Sequence, residues 1–172
     1  MIIETERTIL RRFEISDYQA VFEFGSHPEI GKYTGDELLQ TTAEAKDIIT
    51  NVYQSDYKKY AYGRLATVDK ANNKVIGFAG LKYLPEFDAT DIGFRFFPEY
   101  WNKGIATEVS LALVKYGFQV LKLNRIIGIA DPQNIGSIRV LQKAGLQFEK
   151  SAPYTAGDTK LYNFYQLSNP YH

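Results

Sequence analysis

The 172-residue chain has no cysteine, which removes disulfide frameworks, thiolate zinc sites and cysteine nucleophiles together. Histidine is nearly as scarce, with His27 and His172 alone, so a histidine metal cluster is excluded too. Charge of one sign is also lacking. Lys plus Arg number 20 and Asp plus Glu number 20, and a chain without cationic excess has no field to gather a nucleic-acid strand or an anionic membrane. No run approaches the roughly 18 apolar residues of a membrane span. The opening MIIETERTIL puts Glu4, Glu6 and Arg7 where a secretory signal needs an apolar stretch. These absences predict a soluble, cytoplasmic protein that binds neither nucleic acid nor membrane.

What is present is material for a core. Hydrophobic residues make up 45% of the chain, with 13 Tyr and 11 Phe, more than disorder permits. No repeat or low-complexity tract breaks the composition, and the length suits one domain over residues 1–172. Residues 8–13 read as a strand, and Ser16-Asp17 then offers N-cap oxygens for a helix to about Gly25. A loop over 26–40 is punctuated by His27-Pro28, Gly31 and Gly35. Thr41 and Glu44 form a capping box, and Ala45, Ile48, Ile49, Val52 and Tyr53 give the helix that follows one apolar face.

Strands over 60–68, 74–84 and 90–97 form an antiparallel meander. After Pro98 the apolar period becomes helical over 104–121. Residues 125–130 (RIIGIA) are an unbroken apolar run, as in a strand buried on both faces. A last helix over 135–144 stops at Gly145, and strands over 146–150 and 160–167 close the chain. This order predicts an α/β fold, a mixed sheet with helices packed on both faces.

The segment DIGFRFFPEYWNKGIATE, residues 91–108, runs from a strand through a short loop into a helix with Gly104 and Ala106 in its opening turn. A helix N-terminus has unpaired N–H groups and a partial charge of about +0.5, so it binds phosphate without a cationic cluster. Each charge-assisted hydrogen bond contributes about 1.5–3 kcal/mol, and three or four anchor a pyrophosphate. The plainer alternative is that Gly104 turns the chain while Tyr100 and Trp101 fill core. A second strand-to-helix junction, NIGSIRVLQKAG, follows with Asn134, Ser137, Lys143 and Gly145. Two such junctions opening on one side of a sheet form a ligand site.

EYWNKGIATE and NIGSIRVLQKAG together resemble the acyl-CoA signature of the GNAT superfamily of N-acetyltransferases. TERTILRRFEISD resembles the opening of its RimJ/RimL ribosomal-protein acetyltransferase branch, so the likeness spans residues 5–167. The resemblance implies a central, mostly antiparallel sheet with one splayed parallel strand pair. It implies acetyl-CoA as cosubstrate, no metal, and a primary amine acceptor, either a peptide N-terminus or a small molecule. A homodimer is open. The pyrophosphate would lie on the amides of Asn102, Lys103, Gly104, Ile105, Ala106 and Thr107. Pantetheine would pair like a strand with Phe94, Arg95 and Phe96, and Asn134, Ser137 and Lys143 would also meet the cofactor. Gly93 suits a bulge or the close approach of another backbone.

Three positions depart from the family pattern. Trp101 stands where many members have Gln or Arg. Asn102 replaces the branch glycine, which either crowds the loop or demands a left-handed backbone. Leu141 stands where many members have the tyrosine that protonates the departing thiolate, and the branch resemblance moves that role to Ser137.

The reaction implied is direct attack of a neutral amine on the thioester. At pH 7 a lysine amine with pKa near 10.4 loses about 4.6 kcal/mol to be neutral, and an α-amine about 1–1.4. Asp91 is the first candidate base, because carboxylates on this strand serve so in several members, with Glu86, Asp88 and Glu37 behind it. Tyr33, Tyr83, Phe87 and Tyr154 are candidates to line an acceptor pocket. The expected activity is that of an acetyl-CoA-dependent N-acetyltransferase. A non-catalytic acyl-CoA sensor is the alternative, and a dinucleotide oxidoreductase is disfavoured because no GxGxxG follows the first strand.

Overall fold

The structure, a computed structural model, describes residues 2–171, so His172 lies outside the described residues. The chain enters as a hairpin of β1 (Ile2–Glu4) and β2 (Thr8–Arg11). A 3-10 turn, Ile15–Asp17, leads into α1 (Tyr18–Gly25), and the one-turn helix α2 (Pro28–Gly31) follows. Helix α3 (Thr42–Ile48) passes through a π-helical turn, Ile49–Tyr53, into α4 (Gln54–Tyr60). The remaining elements are β3 (Arg64–Asp69), β4 (Lys74–Leu84), β5 (Ala89–Phe96), α5 (Ile105–Gln119), β6 (Arg125–Ala130), α6 (Ile135–Lys143), β7 (Gln147–Pro153) and β8 (Leu161–Ser168).

The eight strands form one mixed sheet in the order β1-β2-β3-β4-β5-β6-β8-β7. Every neighbouring pair is antiparallel except β5 and β6, which run parallel. Successive strand residues project to opposite faces, and β4 shows both. Phe78 meets Phe24 of α1 and Tyr53 of the π turn, with ring centroids 5.8 and 6.3 Å away. Leu81, on the other face, lies against Gly117 of α5, where a Cβ would come within 2.9 Å of both Leu81 and Ile126. Helix α6 covers the same face further along, with Leu141 over Gly128. Among the described residues, no helix is long and apolar enough to cross a membrane, and no cluster of three or more His, Asp or Glu is placed to hold a metal ion.

Several boundaries depart from the sequence reading. The third strand begins at Arg64 rather than at residue 60, because helix continues through Tyr60 and ends on Ala61 in a left-handed conformation, φ 68°. Ile49, Tyr53 and Tyr57 recur every fourth residue and are all buried. A period of four drifts around an α-helix, and the wider π turn resets it, keeping all three on the core. Strand β1, helix α2 and the extension of β7 to Pro153 were not predicted.

The feature that positions the site lies mid-sheet. Strands β5 and β6 are joined at Thr90↔Ile126 and Asp91↔Ile127. Beyond these pairs β5 continues to Phe96 and β6 to Ala130 unjoined, which opens a wedge between them.

Candidate functional site

The wedge opens toward the start of α5. After β5 a 3-10 turn, Pro98–Tyr100, leads to a loop in which Asn102 and Gly104 both take positive φ, 58° and 78°. Asn102 therefore meets its departure from the family pattern by adopting the left-handed backbone, which Asn tolerates better than most residues. The indole N–H of Trp101 donates to the Phe96 carbonyl at 2.8 Å, tying the loop to the end of β5. The first helical hydrogen bond runs from Glu108 N–H to the Gly104 carbonyl. Among the described residues nothing accepts from the main-chain N–H groups of Asn102, Lys103, Gly104, Ile105, Ala106 or Thr107. A Cβ placed on Gly104 would meet one atom within 4 Å, Nη2 of Arg7 at 3.5 Å. Six unbonded donors around open space fit a diphosphate.

Asp91 sits at the apex of the wedge, on the face that carries Phe78. It is 7% exposed and forms an ion pair with Arg64 of β3. The guanidinium also donates through Nη1 to the carbonyls of Gly80, at 2.5 Å, and Asp91, at 3.2 Å. Burial pushes the Asp91 carboxyl above the ordinary aspartate value, while Arg64 and Lys82 favour its charged form. Gly93 has a different reason from the one expected. The β4–β5 register runs unbroken past it, so there is no bulge, and the neighbour that excludes a side chain is the Arg64 guanidinium, 2.5 Å from where Cβ would lie. Arg95, two residues on, pairs with Asp36 at 2.5 Å and fastens the 32–41 loop across β5. The Phe96 ring is in the core and Phe94 packs against it, so these residues offer the wedge their main chain.

Because β5 and β6 are parallel, α5 and α6 both start at the same edge of the sheet. There Asn134 Oδ1 accepts the Ser137 N–H at 3.2 Å, capping α6. The Ser137 hydroxyl has no hydrogen-bond partner among the described residues. Leu141 is buried against Gly128 and Leu146. Lys143 is exposed in the last turn of α6, about 9 Å along the helix from Ser137 and away from the α5 loop.

On the Asp91 face, Glu86, Phe87, Pro153 and Tyr154 line a cleft of about 480 Å³. Tyr154 donates its hydroxyl to Glu86 Oε1 at 3.1 Å. Burial and the negative charges of Glu86 and Asp91 raise the Tyr154 pKa well above the usual tyrosine range. Phe87 stands edge-on to Tyr154 and to Phe164, at 5.2 and 5.4 Å. The other sequence candidates lie elsewhere. Tyr83 donates to Asp88 at 2.6 Å, Tyr33 lies beneath the Lys32 ammonium, and Glu37 is exposed in the 32–41 loop. Sequence reasoning did not find Arg64, Arg7 or Asp36; two glycines at matching points of adjacent strands are the one local sign of a side chain crossing there.

A family model described as the acetyltransferase (GNAT) domain matches residues 7–147. YnaD, an uncharacterized N-acetyltransferase of Bacillus subtilis strain 168, is 34% identical over 150 residues, 87% of this chain and 84% of that protein. The spermidine N(1)-acetyltransferase of Escherichia coli K12 is 27% identical over 147 residues, 81% of this chain and 73% of that protein. Among solved structures, a GNAT-family acetyltransferase from Bacillus anthracis superposes with a TM-score of 0.82 at 29% identity, covering 98% of this chain and 99% of its own.

Proposed function

The chain belongs to the GNAT acetyltransferase family, and from that premise we propose that it transfers the acetyl group of acetyl-CoA to a primary amine, on a peptide N-terminus or a small molecule, by direct attack in a ternary complex. The observation that carries this reading is the wedge between β5 and β6, which opens onto the unbonded amides of residues 102–107. When bound, acetyl-CoA supplies an acetyl group already activated as a thioester.

The chain's own residues do the rest. The amides of Asn102 to Thr107 hold the diphosphate, the free edge of β5 at Phe94, Arg95 and Phe96 pairs with pantetheine, and Asn134 orients the start of α6. Ser137 passes a proton to the departing sulfur and takes one back from solvent, and at pH 7 that sulfur needs about 2 kcal/mol of help if it resembles a cysteine thiol. Asp91 accepts the amine proton, with one oxygen anchored by Arg64, and burial brings its pKa toward the range a base needs. The amine enters through the Glu86–Tyr154 cleft on the same face, where the carboxylate attracts an ammonium. TERTILRRFEISD supports the RimJ/RimL branch, while the spermidine-named relative supports a small amine. We place the activity in the cytoplasm, in one catalytic domain.

Calorimetry with CoA and free-thiol release with peptides, polyamines and aminoglycosides test this reading. Binding together with acceptor-dependent thiol release supports it. Binding without release for any acceptor favours the sensor, and no CoA binding ends the reading.

A further inference from the structure

Glu108 stands one turn into the helix whose amides face the wedge, where its carboxylate competes with an anionic ligand for the same positive potential. It does not stand bare. Arg7, from the β1–β2 turn, donates its main-chain N–H to Glu108 Oε1 at 2.8 Å and its Nε to Oε2 at 2.7 Å. The same guanidinium donates through Nη1 to the Lys103 carbonyl at 2.7 Å. Its Nη2 lies 3.5 Å from the position of a Cβ on Gly104 and has no acceptor among the described residues. Burial opposes charge on Glu108, but hydrogen bonds from Thr5 and Arg7 leave its pKa below the ordinary glutamate value, so it is ionised at neutral pH.

We propose that Arg7 is a positioning residue for the donor. It cancels the Glu108 charge, engages the Lys103 carbonyl so that the loop presents amides rather than oxygen, and leaves Nη2 beside Gly104 for the diphosphate. This role rests on the acetyl-CoA reading. It also explains how an acidic residue is tolerated in the first turn of an anion-binding helix.

The test is CoA binding by calorimetry for the wild-type chain, Arg7→Ala, Glu108→Gln and the double variant, with KM for acetyl-CoA and for S-acetyl-pantetheine, a donor without the diphosphate. Arg7→Ala is expected to weaken CoA about tenfold or more and to raise KM for acetyl-CoA, leaving kcat and KM for S-acetyl-pantetheine near wild type. Glu108→Gln in the Arg7→Ala background is expected to recover about threefold or more of the lost affinity. Wild-type affinity in Arg7→Ala, no recovery in the double variant, or an equal loss with S-acetyl-pantetheine overturns the proposal. If Arg7→Ala does not fold, Arg7→Lys keeps the charge without the fork; weaker CoA binding then supports the role and unchanged binding refutes it. A wild-type chain that binds no CoA instead brings down the acetyl-CoA reading itself.

Discussion

Gly80 and Gly93 face one another across the β4–β5 ladder, and the bare strip they leave carries the Arg64 side chain from β3 over to Asp91. The two glycines guard different atoms. A Cβ on Gly80 would lie 2.6 Å from the Gly63 carbonyl oxygen and 2.7 Å from Arg64 Cα, both main chain. A Cβ on Gly93 would strike the guanidinium, the far end of a flexible side chain.

Gly93→Ala is therefore expected to fold with Arg64 displaced, losing about 1–3 kcal/mol of stability. Turnover should fall further than CoA affinity, because Asp91 loses its partner and the phosphate loop is untouched. Gly80→Ala should be the more destabilised of the two. Thermal melts and calorimetry check this, and equal melting temperatures would contradict it.

The α5 loop makes the next prediction. Asn102→Gly relieves a left-handed residue and should leave CoA binding within about twofold, whereas a β-branched Asn102→Val should weaken it because φ of 58° is strained for that side chain. Gly104→Asp, placing an anion in the ring of amides, should abolish binding. Unchanged affinity on titration would place the diphosphate elsewhere.

These loops show how far sequence alone reaches. Patterns written within a few residues were readable: the Thr41–Glu44 capping box forms with both hydrogen bonds, Gly145 takes φ of 100°, and β4 and β6 keep their expected bounds. The strand expected from residue 60 starts instead at Arg64, because Tyr60 belongs to a helix whose phase the π turn shifts. Contacts across the sheet were not legible. Arg64 meets Asp91 across β4, and Arg7 meets Glu108 from a hairpin 101 residues earlier, and neither can be inferred before strand register is known.

Asn134 and Ser137 separate positioning from chemistry. Ser137→Ala removes the unpartnered hydroxyl while keeping the main-chain N–H that Asn134 caps. It should lower kcat about tenfold or more with little change in CoA affinity. Asn134→Ala should instead lower the melting temperature, through a cap contribution of about 1 kcal/mol. Equal losses of kcat and affinity in Ser137→Ala would make the hydroxyl a positioning group.

Asp17 provides a test in pH. Its carboxylate accepts from Arg11 Nη1 and Nη2 and from the Glu14 N–H, each at 2.8 Å. Burial opposes its charge, but these hydrogen bonds and the Arg11 charge hold its pKa below the ordinary aspartate value. A depressed carboxyl pKa gives stability that is present above the unfolded value, about 3.9, and is lost as pH falls through the folded one. Asp17→Asn should thus lose about 1.5–3 kcal/mol at pH 7, and the gap should narrow below about pH 4. Denaturation curves that stay parallel down to pH 3 would refute the ionised pair.

Two rungs hold β6, β8 and β7 to the other five strands. The sheet is thus a pair of leaves on a narrow spine, with α5 packed against both sides of the fold line. Amide protons of β4 between Gly77 and Gly80, where the strand is paired with β3 on one side and β5 on the other, should exchange with solvent when the whole molecule opens, whereas those lining the unpaired stretch of β5 should exchange through local breathing. A guest strand laid along β5 would slow that breathing and splint the leaves together.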